Sequence, residues 1–370
     1  MTISSNQILR LVILLPAALL LAACGTATGG SAPTTSAASP TANRSVATET
    51  PAAATAVPTN TAVAPTATFA PTETVPPTAT TPPTPTISPT TTILPPLSGS
   101  GGGVLAYVSE KEGVPGIHIM NADGSDQRRQ TDAFDAHPTW SPDGSQIAYS
   151  TRPSDIVAIS VIDLASGEIR QLTDTERSPS APDWSPDGQH FAMIFNPAHP
   201  GIDYELYLMG VGGSGFEQLT DSVGYQYFDN PDWSPDGSRL AFSADLEGNF
   251  DIYGSDADGS NAIQLTTNEA DDRSPAWSPD GGKIAFESYR DGNWEIVVMN
   301  ADGSGAQNIS NTPDSREQWP SWSPDGGKIA FQTDRDGNWE IYVMNADGTN
   351  PQRLTDNDVK DSEPAWRPQL

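Results

Sequence analysis

Four carboxylates stand at one matched place in a repeating sequence. Asp135, Asp272, Glu317 and Asp361 each lie five residues before a tryptophan. Two further tryptophans, Trp184 and Trp233, have Pro179 and Phe228 at that place. Carboxylates at equivalent points of a ring would aim several negative charges at one mouth and focus a field there. Such a mouth draws a basic or cationic ligand. Arg273 follows Asp272 directly, and Tyr227 and Trp319 offer aromatic contact area. The segments leading into the tryptophans also vary from repeat to repeat, and ligand contacts concentrate on variable loops over a fixed scaffold. The expected ligand site is therefore Asp135, Tyr227, Phe228, Asp272, Arg273, Glu317, Trp319 and Asp361.

Other chemistry is scarce. His118, His137, His190 and His199 have no spacing that makes a metal site. The run Asp334-x-Asp336-Gly337-Asn338-x-Glu340 has a faint likeness to a calcium loop, but its glycine falls too early and the previous repeat has Tyr289 for the first aspartate. A plain turn is the better reading. No nucleophile–base set is apparent, so the expectation is a non-catalytic protein with no cofactor and no metal. The alternative is a lyase or hydrolase that uses carboxylates at the channel mouth.

The elements that carry these residues follow from the repeat. Trp-Ser-Pro-Asp-Gly begins at Trp140, Trp184, Trp233, Trp277 and Trp322, and decays to Trp366-Arg367-Pro368. The spacings are 44, 49, 44, 45 and 44 residues. A period in this range marks a solenoid or a propeller. Within the last full repeat, Lys328-Ile329-Ala330-Phe331-Gln332 reads as a strand, Asp336-Gly337-Asn338 as a turn, and Trp339 to Asn345 as a second strand rich in aromatic and β-branched residues. Asp347-Gly348 is a hairpin turn and Gln352-Arg353-Leu354-Thr355 a short strand. Ser-Pro-Asp-Gly turns the Trp strand back, with Pro presetting φ at the second turn position. Each repeat is thus four short antiparallel strands, a propeller blade. The repeated tryptophans read as packing between blades, as do Trp294 and Trp339.

Closure is also legible. Six second-strand cores begin at Val104, Gln146, His190, Arg239, Lys283 and Lys328, against six Trp strands. The chain opens on a second strand and ends on a first. Pro364-Ala365-Trp366 should complete the blade begun at Val104, which removes the open sheet edges. The fold expected for residues 104–370 is an all-β, six-bladed β-propeller of four-stranded blades, closed by the C-terminal strand.

The pattern Trp-Ser-Pro-Asp-Gly-x-x-Ile-Ala-Phe, followed by Met-Asn-Ala-Asp-Gly and a Leu-Thr strand, resembles the repeats of TolB-type six-bladed propellers, the WD40-like repeats of that group. Related blades precede the catalytic domain in prolyl-oligopeptidase-type enzymes. The resemblance implies the fold for residues 104–370. In place of the small α/β domain that precedes the propeller in TolB, this sequence reads as a tether. No Gly-x-Ser-x-Gly elbow of the peptidases occurs in the propeller.

The N-terminal third differs in kind. Arg10 precedes an apolar run from Leu11 to Leu21, too short to cross a bilayer comfortably. Leu21-Ala22-Ala23-Cys24 resembles the bacterial lipobox, which implies a signal peptide over 1–23 and lipidation of Cys24, the one cysteine present. Residues 24–103 are dominated by Thr, Pro and Ala and cannot bury enough surface to fold, so a disordered linker is expected. Segment 1–103 holds Arg10 and Arg44 against Glu49 and Glu73, leaving the formal charge of -29 on the propeller. A phosphate backbone needs Lys and Arg, so this surface argues against a nucleic-acid partner, and none is expected. The expected protein is a monomer, lipid-anchored in the cell envelope with the propeller on the extracytoplasmic side. Its expected partner is a basic or cationic protein, peptide or cell-wall ligand.

Overall fold

The computed structural model describes residues 103–111, 113–153, 156–174, 178–195, 204–220, 227–246 and 248–369. The expected signal peptide, Cys24 and nearly all of the linker lie outside the described residues. Six antiparallel four-stranded sheets follow one another along the chain. The innermost strands touch in cyclic order, so the sheets stand as blades round a central channel. Blade 1 is built from both ends of the propeller. Its innermost strand, Asp361–Trp366, pairs with Val104–Ser109, with Leu105 opposite Trp366. This is the closure that the counts of strand types predict. Blades 2 to 6 run in chain order from Asp135, Ser180, Tyr227, Asp272 and Glu317.

The second and third strands are apolar on both faces because each blade is sandwiched between two others. Ile284, Ala285 and Phe286 of blade 5 are fully buried, as are Ile329, Ala330 and Phe331 of blade 6. The core therefore lies between blades. One cluster joins Leu105, Tyr107 and Met120 of blade 1 to Ile341 and Val343 of blade 6. Trp140, Trp233, Trp277, Trp322 and Trp366 are buried in these layers, and Trp184 packs on Phe191 with ring centroids 4.6 Å apart. Burial of an aromatic ring of this size dominates local packing energy.

The turns repeat because their side chains repeat. In each Ser-Pro-Asp-Gly the serine hydroxyl donates to the aspartate, as from Ser323 to Asp325 at 2.6 Å. The same serine accepts the N–H that opens the second strand, Lys328, at 2.9 Å. The aspartate also accepts the Gly327 N–H at 3.0 Å. These bonds satisfy the backbone of a tight turn locally. The fourth strands are short. That of blade 6 is Gln352–Arg353, and Thr355 beyond it turns its hydroxyl back to accept the Ile341 N–H at 2.9 Å. The equivalent bond recurs in the other blades, from Thr131, Thr173, Thr220, Thr266 and Ser310.

Candidate functional site

Six prolines stand in register on the innermost strands: Pro138, Pro182, Pro231, Pro275, Pro320 and Pro364. The right-handed helical region is disfavoured for the residue before a proline. Here that residue takes positive φ in every blade: 53° at His137, 50° at Ala181, 45° at Asn230, 51° at Ser274, 56° at Trp319 and 55° at Glu363. The pairing register slips at the same point in all six blades. Each innermost strand therefore carries a β-bulge, which re-aims side chains and frees backbone groups from the ladder.

The freed N–H groups are caught by side chains. Ser150 and Ser243 accept from Ala181 and Ser274, at 3.0 and 3.2 Å. Glu287 accepts from Trp319 at 3.1 Å, and Gln332 from Glu363 at 3.0 Å. Blades 1 and 3 have Val108 and Ile194 at this second-strand place and supply no such acceptor. His137 N–H turns instead to Glu363 at 2.6 Å, and Asn230 N–H to the Asp229 carboxylate at 3.0 Å. Polar side chains are thereby fixed round the axis by the need to satisfy buried backbone.

The channel encloses a cavity of about 280 Å³, lined by residues of all six innermost strands. A second ring of bonds runs below the bulges. The side chain just before each tryptophan reaches the tryptophan N–H of the next blade. Thr139 accepts from Trp184 at 3.4 Å, Asp183 from Trp233 at 2.8 Å, Asp232 from Trp277 at 2.6 Å, and Ser321 from Trp366 at 3.1 Å. Where alanine stands there, the next indole N–H bonds to the alanine carbonyl, from Trp322 to Ala276 and from Trp140 to Ala365.

Two of these residues are carboxylates on adjacent blades. Asp183 also accepts the Thr139 hydroxyl at 2.9 Å, so both its oxygens are used. Burial pushes its carboxyl up to about 6. Asp232 is raised well above the usual range, first by burial and then by the charge of Asp183. Its Oδ2 takes the Trp277 N–H, and no donor among the described residues reaches its Oδ1. That oxygen is free to accept a hydrogen bond from a ligand in the channel.

A charged cluster adjoins this pair. Burial raises Glu287 to about 7, against the hydrogen bond from Trp319 and the positive charge of Arg273. Burial also raises Asp229, which feels His137, Arg273 and Glu363. Arg273 lies 3.6 Å over the Phe250 ring and bonds Asp271 at 3.1 Å. The His137 and Trp319 rings sit 5.4 Å apart across the channel wall. Carboxylates outnumber cations here, so the channel offers acceptors to a cationic group. Among the described residues, no group of three or more His, Cys, Asp and Glu is arranged to hold a metal ion.

The comparisons with known proteins agree with this architecture. Residues 225–319 match the family described as the TolB beta propeller domain. TolB from Acinetobacter baumannii superposes with a TM-score of 0.63 at 26% identity, over 72% of this chain and 67% of that one. The propeller is of the TolB type. A putative TolB from Agrobacterium tumefaciens gives a TM-score of 0.58 at 21% identity, over 73% of this chain and 100% of that chain. An oligogalacturonate lyase in complex with manganese shares the fold at 16% identity and a TM-score of 0.51, over 70% of this chain and 75% of that one. No curated protein matches the sequence.

In this TolB-type propeller the four matched carboxylates do not ring the mouth. Asp135, Asp272, Glu317 and Asp361 are at most 1% exposed. Glu317 accepts from Ser315 and Thr333, both at 2.7 Å, and from Arg335 at 3.2 Å. Asp272 accepts from Asn268 at 2.5 Å and faces Arg290 at 3.4 Å, and Asp361 accepts from Asn357 at 2.7 Å. Asp135 is raised by the same burial. Phe228 is buried as well, with its ring 5.8 Å from Phe242. Tyr227 is exposed, Trp319 lines the channel, and Arg273 belongs to the charged cluster.

The cause of the correction is the bulge. Strand side chains alternate with period two, so one extra residue inverts the faces beyond it. Counting back from the tryptophan, the first, third and fourth residues face the channel side, and the fifth returns to the core side with the tryptophan. The sequence reading missed Asp229 for this reason; it passed over Asp183 and Asp232, which face the channel by plain alternation beside the tryptophan, and Glu287, which reaches the axis from a second strand. The registered prolines were the available signal, since proline within a strand points to a bulge or an edge.

Proposed function

We propose that this protein is a non-catalytic, envelope-tethered binding propeller that captures a cationic segment of a protein, peptide or wall component in its channel. The observation that carries the reading is the adjacent pair Asp183 and Asp232 in the channel wall, with Asp232 Oδ1 open to a donor. Asp229, Glu287 and Glu363 add carboxyl acceptors nearby. In a narrow, low-dielectric channel a carboxylate charge is worth more than on an open surface. The contact face is the bulge ring, not the buried carboxylates at the strand starts.

A lysine-rich peptide titrated into the full chain tests this reading. Saturable binding that weakens with salt is expected, because exposed charges are screened beyond about 8 Å at physiological ionic strength. Asp232→Asn should weaken it about tenfold without lowering the melting temperature, a loss of about 1.4 kcal/mol. Equal binding by an acidic peptide, or no effect of the substitution, refutes it. The lyase alternative predicts unsaturated products from oligogalacturonate in the presence of manganese, which non-catalytic binding does not. Lipid anchoring through Cys24 predicts uptake of labelled fatty acid by the wild type and none by Cys24→Ala. Equal membrane retention of both, with no label on the wild type, rejects the anchor.

A further inference from the structure

On the face that carries the Asp-Gly turns, away from the bulges, neighbouring blades meet over a tryptophan ring. In two places an arginine of the preceding blade covers that ring. The Arg239 guanidinium lies 5.4 Å from the Trp277 centroid, and that of Arg367 lies 5.6 Å from the Trp140 centroid. Arg239 opens the second strand of blade 4, directly after its Ser-Pro-Asp-Gly turn and the following residue. Gly254 gives it room, for a Cβ there would stand 3.2 Å from the guanidinium.

Between blades 3 and 4 the same place is held differently. The residue equivalent to Arg239 is His190, which is exposed, and Leu208 replaces Gly254. His190 is shorter than arginine, and a groove of about 370 Å³ opens where the cation would lie. Trp233 and Leu208 form its apolar floor, and Asp187, Glu217, Asp236 and Asp258 line its rim. Each rim aspartate spends its Oδ1 on its own turn. No donor among the described residues reaches the Oδ2 of Asp187, Asp236 or Asp258. Bonds from the turn serines hold these carboxyls below the ordinary range, with Asp236 at about 2, so they are charged at neutral pH.

We propose that the groove between blades 3 and 4 is a second binding site, separate from the channel, that takes an arginine side chain from a basic partner protein. The guanidinium would stack against Trp233 as Arg239 does on Trp277, with its aliphatic stem on Leu208 and its N–H groups on the rim carboxylates. Arginine suits this better than lysine, because a planar guanidinium both stacks on an aromatic face and forks onto carboxylates. The chain itself displays the chosen chemistry twice, at Trp277 and Trp140.

The test is titration of the full chain with the peptide acetyl-Gly-Gly-Arg-Arg-Gly-Gly-amide, followed by calorimetry and by the proton shifts of the arginine side chain. Saturable binding with upfield shifts of the arginine methylenes is expected, as stacking on an indole requires. His190→Arg supplies the missing cation from within and should weaken binding at least tenfold while leaving the melting temperature unchanged or higher. Asp187→Asn with Asp236→Asn should weaken it by a similar factor. In Asp232→Asn, whose channel site is weakened, the binding that carries the upfield methylene shifts should persist and should still be lost on adding His190→Arg, which separates this site from the function proposed above. The inference is overturned if the peptide does not bind, if an all-glycine peptide binds as well, or if in Asp232→Asn a lysine peptide binds more tightly. It is likewise overturned if Asp232→Asn abolishes binding while His190→Arg does not.

Discussion

The Asp183 carboxylate accepts the main-chain N–H of Trp233, one blade further round the ring, at 2.8 Å. It ties two blades together and at the same time puts a charge on the channel wall. Asp232 repeats the contact to Trp277 at 2.6 Å. The bulge does likewise at Glu287, which accepts the Trp319 N–H. Structural need and the proposed ligand chemistry therefore fall on the same carboxylates, and their protonation should be felt in stability.

Glu287 is raised to about 7 and Asp183 to about 6. Both folded values exceed those of free carboxyls, so between about pH 4 and 7 the native state binds more protons than the unfolded chain. Stability from these groups rises as pH falls through that window. The turn aspartates act in the opposite sense. Asp236, held at about 2, contributes stability that is lost as pH falls below the free-carboxyl range. The melting temperature should therefore climb from about pH 8 to about pH 5 and decline below about pH 4. Glu287→Gln should raise it at about pH 8, by on the order of 2 kcal/mol of stability at most, and flatten the climb. A steady fall from pH 8 to 5 would contradict this assignment.

Closure rests on Trp366, which is 7% exposed and lies opposite Leu105. Trp366→Ala should cost about 3–5 kcal/mol, the usual range for a buried aromatic. Deleting residues 361–370 removes the whole innermost strand of blade 1 and uncovers the edge of Val104–Ser109. That variant should aggregate or melt far lower, as seen by light scattering and calorimetry. An unchanged melting temperature would show that blade 1 does not need the C-terminal strand.

Two glycines with similar backbones should respond differently to alanine. Gly348 has φ of 83°, and a Cβ there would fall against the carbonyl oxygen of Ile309 in the preceding blade. Gly337 has φ of 100°, with nothing within 4 Å of the added atom. Gly337→Ala carries backbone strain alone, about 1–2 kcal/mol. Gly348→Ala adds a clash with backbone and should cost about 3 kcal/mol or more. Chemical denaturation of the two variants measures the difference, and equal losses would argue against close blade contact at this turn.

Glu317 and Asp232 separate scaffold from site. Glu317 is fully buried and accepts from Ser315, Thr333 and Arg335. Glu317→Gln puts an N–H group among those donors and removes the charge that balances Arg335, for about 2–4 kcal/mol of lost stability. Lysine-peptide binding by the protein that remains folded should be unaffected. Asp232→Asn should do the reverse. If Glu317→Gln instead spares stability and abolishes binding, the buried-scaffold reading of these carboxylates is wrong.

Much of the molecule was legible before any coordinates. The pitch of Trp-Ser-Pro-Asp-Gly, the Asn-Ala-Asp-Gly turns and the matched strand counts specify six four-stranded blades and the pairing of Asp361–Trp366 with Val104–Ser109. These are local rules, of turn chemistry and of burial on both faces of each blade, repeated often enough to be read with little ambiguity. The facing of the innermost strands was different. It depends on a bulge whose freed N–H groups are caught by side chains from other strands, such as Ser243 for Ser274 and Gln332 for Glu363. Such a bond is fixed only when two blades are in place, and a single inserted residue turns Asp135, Asp272, Glu317 and Asp361 inward, leaving Asp183 and Asp232, beside the tryptophan, on the channel side. The groove over Trp233 is likewise set by what the neighbouring blade brings, His190 and Leu208 in place of Arg239 and Gly254. The sequence by itself determined the repeat and its closure, because those follow from local periodicity. Tertiary structure decided which carboxylates line the channel and which are buried in the scaffold, because that depends on contacts between residues a whole blade apart.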